Sequence, residues 1–432
     1  MSYRLADLPA LLRTSPGRMR LKIAGCHLAW KVLARPAAWY RRRVIRNTRI
    51  VGVTGSFGKT TTTRATLAAL GRDPGSALRG NAGCFLARAL FRIRPGQRHA
   101  VIEIGISRPD QMPQYAQVVS PDIAVVTAVG SEHNRSLGTL ERTRHEKAHL
   151  VRVLPASGTA VLNGDDPNVR WMAGETRARV VTFGFEDTND VRAGPPQLDW
   201  PRGMRVRVIT REGTREMRVR LVGRPMVYPL LAAVAVALEL GVPLDRAIAA
   251  LETVPPTPGR LQPVVLPNGA VILRDDFKGP QETIEAALDL LGEIPAARRI
   301  VVLGEVSEPI GSQGPIYRQL GSRVARVAAR AVFVAGSNTG AYSTGARRGG
   351  LAREAIVDAK GSPARAVQAL KADLRPGDVI LIKGRDTQHL ARVALALMGR
   401  QVRCELPVCD SKLECNDCRM LERGWEGHRI LT

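Results

Sequence analysis

From Arg49 onward the chain alternates short, unbroken apolar runs with stretches whose apolar residues recur at helical spacing. The runs "RIVGVTG", "HAVIEIG", "PDIAVVTAV" and "TAVLNGDD" predict buried strands with helices between them, the pattern of a parallel α/β sheet. "MRVRVITREGTREMRVRLVG" instead alternates apolar with basic residues around a Glu-Gly turn, which predicts an antiparallel hairpin at the sheet edge. Helical "LLAAVAVALELG" follows, and the prolines and glycine of "ETVPPTPGRLQP" mark a domain boundary near residue 257. A second run begins there, with strands "AVILRDD", "RIVVLGE", "RAVFVAG" and "DVILIKG" and helices such as "PQETIEAALDLLGEI". The fold class is α/β, with a phosphate-loop central domain on a mainly parallel sheet and a smaller, doubly wound, Rossmann-like domain after it. The expected domains are a basic arm at 1–49, the central domain at 50–257, the second at 258–400 and a Cys-rich tail at 401–432.

A length of 432 residues suits two or three domains rather than one core. No segment approaches the roughly 20 uncharged apolar residues of a membrane-spanning helix. Arg4, Asp7 and the basic residues that follow break the layout of a secretory signal, so a cytoplasmic, reducing location is expected. The net charge of +25 suits a polyanionic partner. Its arginines are scattered through every element and aromatic residues are sparse, which does not favour a nucleic-acid surface. In the arm, Trp30, Trp39 and Tyr40 lie beside Arg41, Arg42 and Arg43. Two alternatives stand: helices packed on the next domain with arginines in water, or peripheral contact with an anionic membrane.

The stretch "IVGVTGSFGKTTTTRATLAAL" leads a strand through Thr54, Gly55, Ser56, Phe57, Gly58, Lys59, Thr60 and Thr61 into a helix, which is the setting a phosphate loop needs. Glycines let backbone N–H groups approach phosphate oxygens, and the helix start adds positive potential. Lys59 would reach the β- and γ-phosphates and the Thr60 hydroxyl would hold magnesium. Val53 stands where the generic pattern has glycine.

"GVTGSFGKTTT" resembles the T-G-[ST]-x-G-K-[ST]-[ST] loop of the Mur ligase family, ATP-dependent enzymes that form amide bonds in peptidoglycan precursor synthesis. The resemblance continues in order through nearly everything after residue 49. "AVIEIGISRPDQM" is similar to the family's strand with a magnesium-binding glutamate, which implies that role for Glu103. "PDIAVVTAVGSEHNRSLGTLERTRHEKAHLV" is similar to its strand, histidine and lysine segment, which implies a metal-site role for His133 and carbamylation of Lys147. "VVLGEV" and "VILIKGRD" resemble the C-terminal domain of the D-alanyl-D-alanine-adding members. The implied chemistry is phosphorylation of a carboxylate by ATP and attack of an amine on the acyl phosphate. Such a site needs a phosphate cradle, magnesium and fixed positive charge.

The chain departs from the family in three places. The adding enzymes carry an N-terminal domain for the UDP-sugar, whereas this phosphate loop follows only 49 residues, so the family's UDP-muramoyl substrate is not implied. In "GRPMVYPLLAA", Pro225 and Pro229 replace a histidine and an asparagine that helps seat the nucleotide. "RDDFKGPQETIEAAL" resembles the C-terminal segment that meets ATP but is shortened; by resemblance Asp276 would bind ribose and Lys278 would face the phosphates. The tail gathers Cys404, Cys409, Cys415 and Cys418, which suit zinc, an iron–sulfur cluster or no ligand at all, while Cys26 and Cys84 read as isolated structural cysteines. The leading function is an ATP-dependent carboxylate–amine ligase of the cell envelope. Its alternatives are a folylpolyglutamate-type or other amino-acid-adding ligase, and a nucleotide-binding protein without ligase activity.

Overall fold

The computed structural model describes residues 8–13, 15–77, 80–309, 311–406, 408–409 and 414–423. The expected arm and tail therefore extend partly beyond the described residues, at 1–7, 14, 407, 410–413 and 424–432. The chain divides into a middle unit, Cys26–Pro255, and a second unit made of Met1–Gly25 with Pro256–Thr432.

The middle unit is built on nine strands: β1 (Arg49–Thr54), β2 (His99–Glu103), β3 (Ile123–Val126), β4 (Thr159–Asn163), β5 (Arg179–Gly184), β6 (Val191–Ala193), β7 (Gln197–Asp199), β8 (Gly203–Thr210) and β9 (Gly213–Val219). Their order is β2-β1-β3-β4-β5-β6-β8-β7, with β9 on β8. Pairing is parallel from β2 to β6 and antiparallel beyond, where the expected hairpin forms β8 and β9. Side chains alternate across a strand, so β1 sends Val51 and Val53 to one face and Ile50 to the other. Val51 and Val53 pack in one core with the apolar helix Val227–Glu239 and with Ala65 and Ala68 of the helix Lys59–Ala69. Ile50 packs in the second with Leu86, Tyr115 and Leu150. Both faces are covered, which is why the parallel strands are apolar throughout rather than alternating.

From Cys26 on, the helix Ser15–Arg43 lies on this second core. The Trp30 ring meets Tyr115 edge-on at 5.1 Å, and the Tyr40 hydroxyl donates to the Ile93 carbonyl at 2.8 Å. Arg41 donates through Nη2 to Asp122 Oδ2 at 2.9 Å and through Nε to the Ser120 carbonyl at 3.1 Å. Burial lowers the Arg41 pKa and Asp122 opposes that shift, so the ion pair offsets part of the cost of burying a guanidinium. Cys26 and Cys84 are not isolated: they are joined as a disulfide across 58 residues of sequence. Packing of the arm on the helix Cys84–Phe91 brings them together, which no local pattern announces.

The second unit has six strands: β10 (Gln262–Val265), β11 (Val271–Asp275), β12 (Arg298–Leu303), β13 (Arg330–Phe333), β14 (Ile356–Asp358) and β15 (Asp378–Lys383), in the order β10-β11-β15-β12-β13-β14. Only β10 runs antiparallel. Arg298 closes the lower edge by bonding Asp373 and the buried Asp378, each at 2.7 Å. With these two sheets the α/β class expected from the apolar pattern is the observed one.

Candidate active site

β1 ends at Thr54, and the turn Gly55–Gly58 leads into the helix that begins at Lys59. The turn admits only glycine at two points. A Cβ on Gly55, whose φ is +147°, would lie 2.0 Å from Thr127 Oγ1, and Gly58 caps the helix in the left-handed region at φ +81°. The segment after β3 braces the turn: Ser56 N donates to the Ala128 carbonyl at 2.7 Å and Gly130 N to Ser56 Oγ at 2.9 Å. Lys59 is buried, and its Nζ donates to the Gly55 carbonyl at 2.5 Å, the Ser56 carbonyl at 3.1 Å and Glu132 Oε2 at 3.2 Å. Thr60 is half-buried and Thr61 buried in the first turn of that helix.

Parallel pairing sets the ends of neighbouring strands side by side, and ligands of α/β sheets bind at that carboxyl edge. Glu103 closes β2 opposite Val53 of β1, half-buried, and accepts from Asn81 Nδ2 at 2.7 Å. His133 takes φ +63°, with its Nε2 3.6 Å from Glu132 Oε1. Lys147 is buried on the helix Leu140–Arg152. Burial first, and then the charge of Lys59, holds the Lys147 amine well below its usual pKa, with Glu146 opposing. Lys59, Glu132, His133 and Lys147 thus form one electrostatic neighbourhood, with Glu103 on the adjoining strand end.

Two residues of this neighbourhood lay outside the expectations from sequence. Glu132 binds Lys59, and Asn81 holds Glu103. An acidic residue next to His133 was a weak signal for the first; nothing local marked the second. The donor set suits magnesium with nucleotide phosphates: carboxylate oxygens, a threonine hydroxyl and a buried lysine whose pKa is lowered. Two buried oxygens in the same region, Thr54 Oγ1 and Glu146 Oε2, have no hydrogen-bond partner among the described residues. Among those residues no group of three or more His, Cys, Asp or Glu side chains is already arranged around a metal position.

Pro229 falls in the first turn of its helix, where a backbone N–H has no intrahelical partner to lose, and its Cγ lies 3.9 Å from where a Gly58 Cβ would stand. The neighbouring Tyr228 donates to Asp165 Oδ2 at 3.0 Å and meets Phe185 edge-on at 5.2 Å. An aromatic and proline surface therefore replaces an amide beside the phosphate loop.

In the second unit, Asp276 is buried and engaged by Arg274, through Nε at 2.9 Å and Nη2 at 3.1 Å. Lys278 is half-buried, and its carbonyl accepts from the buried Lys383 Nζ at 3.0 Å. Two of the tail cysteines meet Arg392 and His389: Cys415 Sγ is 3.3 Å from His389 Nδ1 and Cys404 Sγ 3.8 Å from Arg392 Nη1. Burial pushes the Cys415 thiol up to about 12, with Cys404, Cys409 and Cys418 close enough to add to the rise.

Residues 53–237 match the Mur ligase middle domain and residues 259–385 the Mur ligase glutamate ligase domain. The UDP-N-acetylmuramoyl-tripeptide–D-alanyl-D-alanine ligase of Mycobacterium tuberculosis (strain H37Rv) is 32% identical over 376 residues, covering 81% of this chain and 73% of that protein. The enzyme of the same name from Escherichia coli K12 is 27% identical, covering 71% and 68%. Among solved structures, MurF from Acinetobacter baumannii superposes with a TM-score of 0.75 at 22% identity, covering 86% of this chain and 81% of that one. MurF from Thermotoga maritima in complex with ADP superposes at 0.74 and 21%, covering 86% and 83%. The chain belongs to the Mur ligase family, ATP-dependent ligases that release ADP and use magnesium.

Proposed function

We propose that the protein joins a carboxylate to the amine of an amino acid or short peptide in the cytoplasmic stage of cell-envelope synthesis. The observation that carries this is the buried Lys147, its amine held well below its usual pKa by burial and by the charge of Lys59, together with the glycine-shaped phosphate turn. A site that only gripped nucleotide would have no use for a buried amine whose pKa is pushed down. The backbone of Gly55 to Thr61 would cradle the phosphates, and Lys59, released from Glu132, would follow the charge of the transferring group. Glu103, Thr60, His133 and a carbamate on Lys147 would hold magnesium, which supplies charge neutralisation among crowded phosphate oxygens. In the second unit, Asp276 would have to exchange Arg274 to bind ribose, and Lys278 would take a phosphate.

The described relatives act on a UDP-N-acetylmuramoyl tripeptide and D-alanyl-D-alanine, as their names state. Those two compounds with ATP and magnesium are the first substrates to supply, with mass spectrometry of the products. A product heavier by the dipeptide less one water is the expected outcome if the carboxylate carrier is shared. ADP release that needs pooled cell-extract carboxylates and amines instead keeps the ligase and changes the carrier. ATP bound but never consumed under either condition refutes the proposal. Two finer features complete it: zinc on Cys404, Cys409, Cys415 and Cys418, and contact of the N-terminal arm with an anionic membrane.

A further inference from the structure

The arm helix Ser15–Arg43 buries one face and leaves another bare. Trp30, Ala37, Arg41 and Ile45 are its buried anchors from the middle of the helix through the following turn. On the opposite side Leu28, Val32 and Trp39 are 72%, 73% and 62% exposed. Large apolar side chains scattered singly on a surface need no explanation, but these three are aligned. At about 100° per residue, positions 28, 32 and 39 fall within about 40° of one another around the helix axis. Lys31, Arg35, Arg42 and Arg43, all exposed, fall within about 60° of Leu28 on either side, and exposed Arg46 follows in the turn. No Asp or Glu occurs from residue 8 to residue 72. Among the described residues the acidic partner of this part of the helix is Asp122, and it is spent on the buried Arg41.

We infer that this face of the arm is a docking surface for an anionic lipid bilayer, with Leu28, Val32 and Trp39 entering the headgroup region and the surrounding cations pairing with lipid phosphates. It deepens the membrane contact proposed above and does not depend on the ligase chemistry. Charge complementarity selects the occupant. A second copy of the face would set the same cations against each other with no acid between them. A nucleic acid would neutralise the cations yet leave Leu28 and Val32 in water. A bilayer with anionic headgroups satisfies both sets at once: each basic side chain near such a surface contributes about 1 kcal/mol, and tryptophan favours the interface. No described helix is long and apolar enough to cross a membrane, so the contact is peripheral.

The test uses the full chain with extruded vesicles of phosphatidylcholine alone or with about one third phosphatidylglycerol, read by co-sedimentation and by tryptophan fluorescence. Expected is binding to the anionic vesicles at least about tenfold tighter than to neutral ones, weakened by salt, with a blue shift that disappears in Trp39→Phe. Leu28→Ser with Val32→Ser, and separately Arg35→Gln with Arg42→Gln and Arg43→Gln, should each weaken binding about fivefold or more. Both variants should keep the wild-type melting temperature and ATP consumption in vesicle-free solution, which separates failure here from failure of the ligase proposal. Equal binding to both vesicle types, or anionic binding that neither variant changes, overturns the inference. Tighter binding to duplex DNA than to vesicles, or dimerisation lost in Leu28→Ser with Val32→Ser, overturns it in favour of those occupants.

Discussion

Lys147 carries an amine that the fold hides from water and sets near the charge of Lys59, and both effects favour its neutral form. A neutral amine can add carbon dioxide and become an anion, which suits a magnesium site far better than an ammonium would. The sign of the pH dependence follows. Folding holds the pKa below 10.5, so the unfolded chain binds the proton more tightly, and stability rises with pH from the lowered folded value up to that point. Acid returns the proton and competes with the carbamate, so ligase activity should fall on the acid side first. In 13C-bicarbonate the wild type should show a carbamate carbonyl resonance by NMR that Lys147→Ala lacks, and Lys147→Ala should lose about 100-fold or more of turnover while still binding ATP. No such resonance, together with full activity of the variant, would remove Lys147 from the site. Glu132, only weakly marked in the sequence by its place next to His133, meets Lys59 because the segment after β3 folds back over the phosphate turn.

At the scale of elements, the phosphate turn was legible because its constraints are local: a strand, two glycines with left-handed or close-packed geometry, then a helix. The apolar runs likewise announced the parallel strands, and the alternation of "MRVRVITREGTREMRVRLVG" announced β8 and β9. What depends on distant chain was not legible. Asn81 reaches Glu103 across 22 residues and Cys26 reaches Cys84 across 58, and neither pairing leaves a mark in the residues around it. The tail lies between these cases, since its cysteine spacing suggests thiolate ligands and the fold then sets Cys404 by Arg392 and Cys415 by His389, with Cys409 and Cys418 close enough to Cys415 to raise its pKa. A thiol held near 12 stays protonated unless a metal displaces the proton, so metal binding and local folding would be one event. Metal analysis of protein purified without chelator should therefore give about one zinc per chain. Less than about a tenth of that, with all four thiols open to a thiol reagent, would discard zinc.

For the whole molecule, the net charge of +25 suits a chain that handles polyphosphate in one place and meets an anionic surface in another. The two sheets show how much the apolar pattern carries: both came from runs of strand-forming residues, whereas the substrate carrier has no counterpart in any run or spacing. The central claim is that the phosphate turn in the middle unit drives ligation, and it is tested most directly at Lys59. The direct measurement is the rate of ADP formation that depends on added carboxylate and amine, for wild type and Lys59→Ala at matched melting temperature. The account predicts a loss of about 100-fold or more in the variant, since a fixed positive charge at the transferring phosphoryl group is gone. Equal substrate-dependent rates in the two proteins would contradict it.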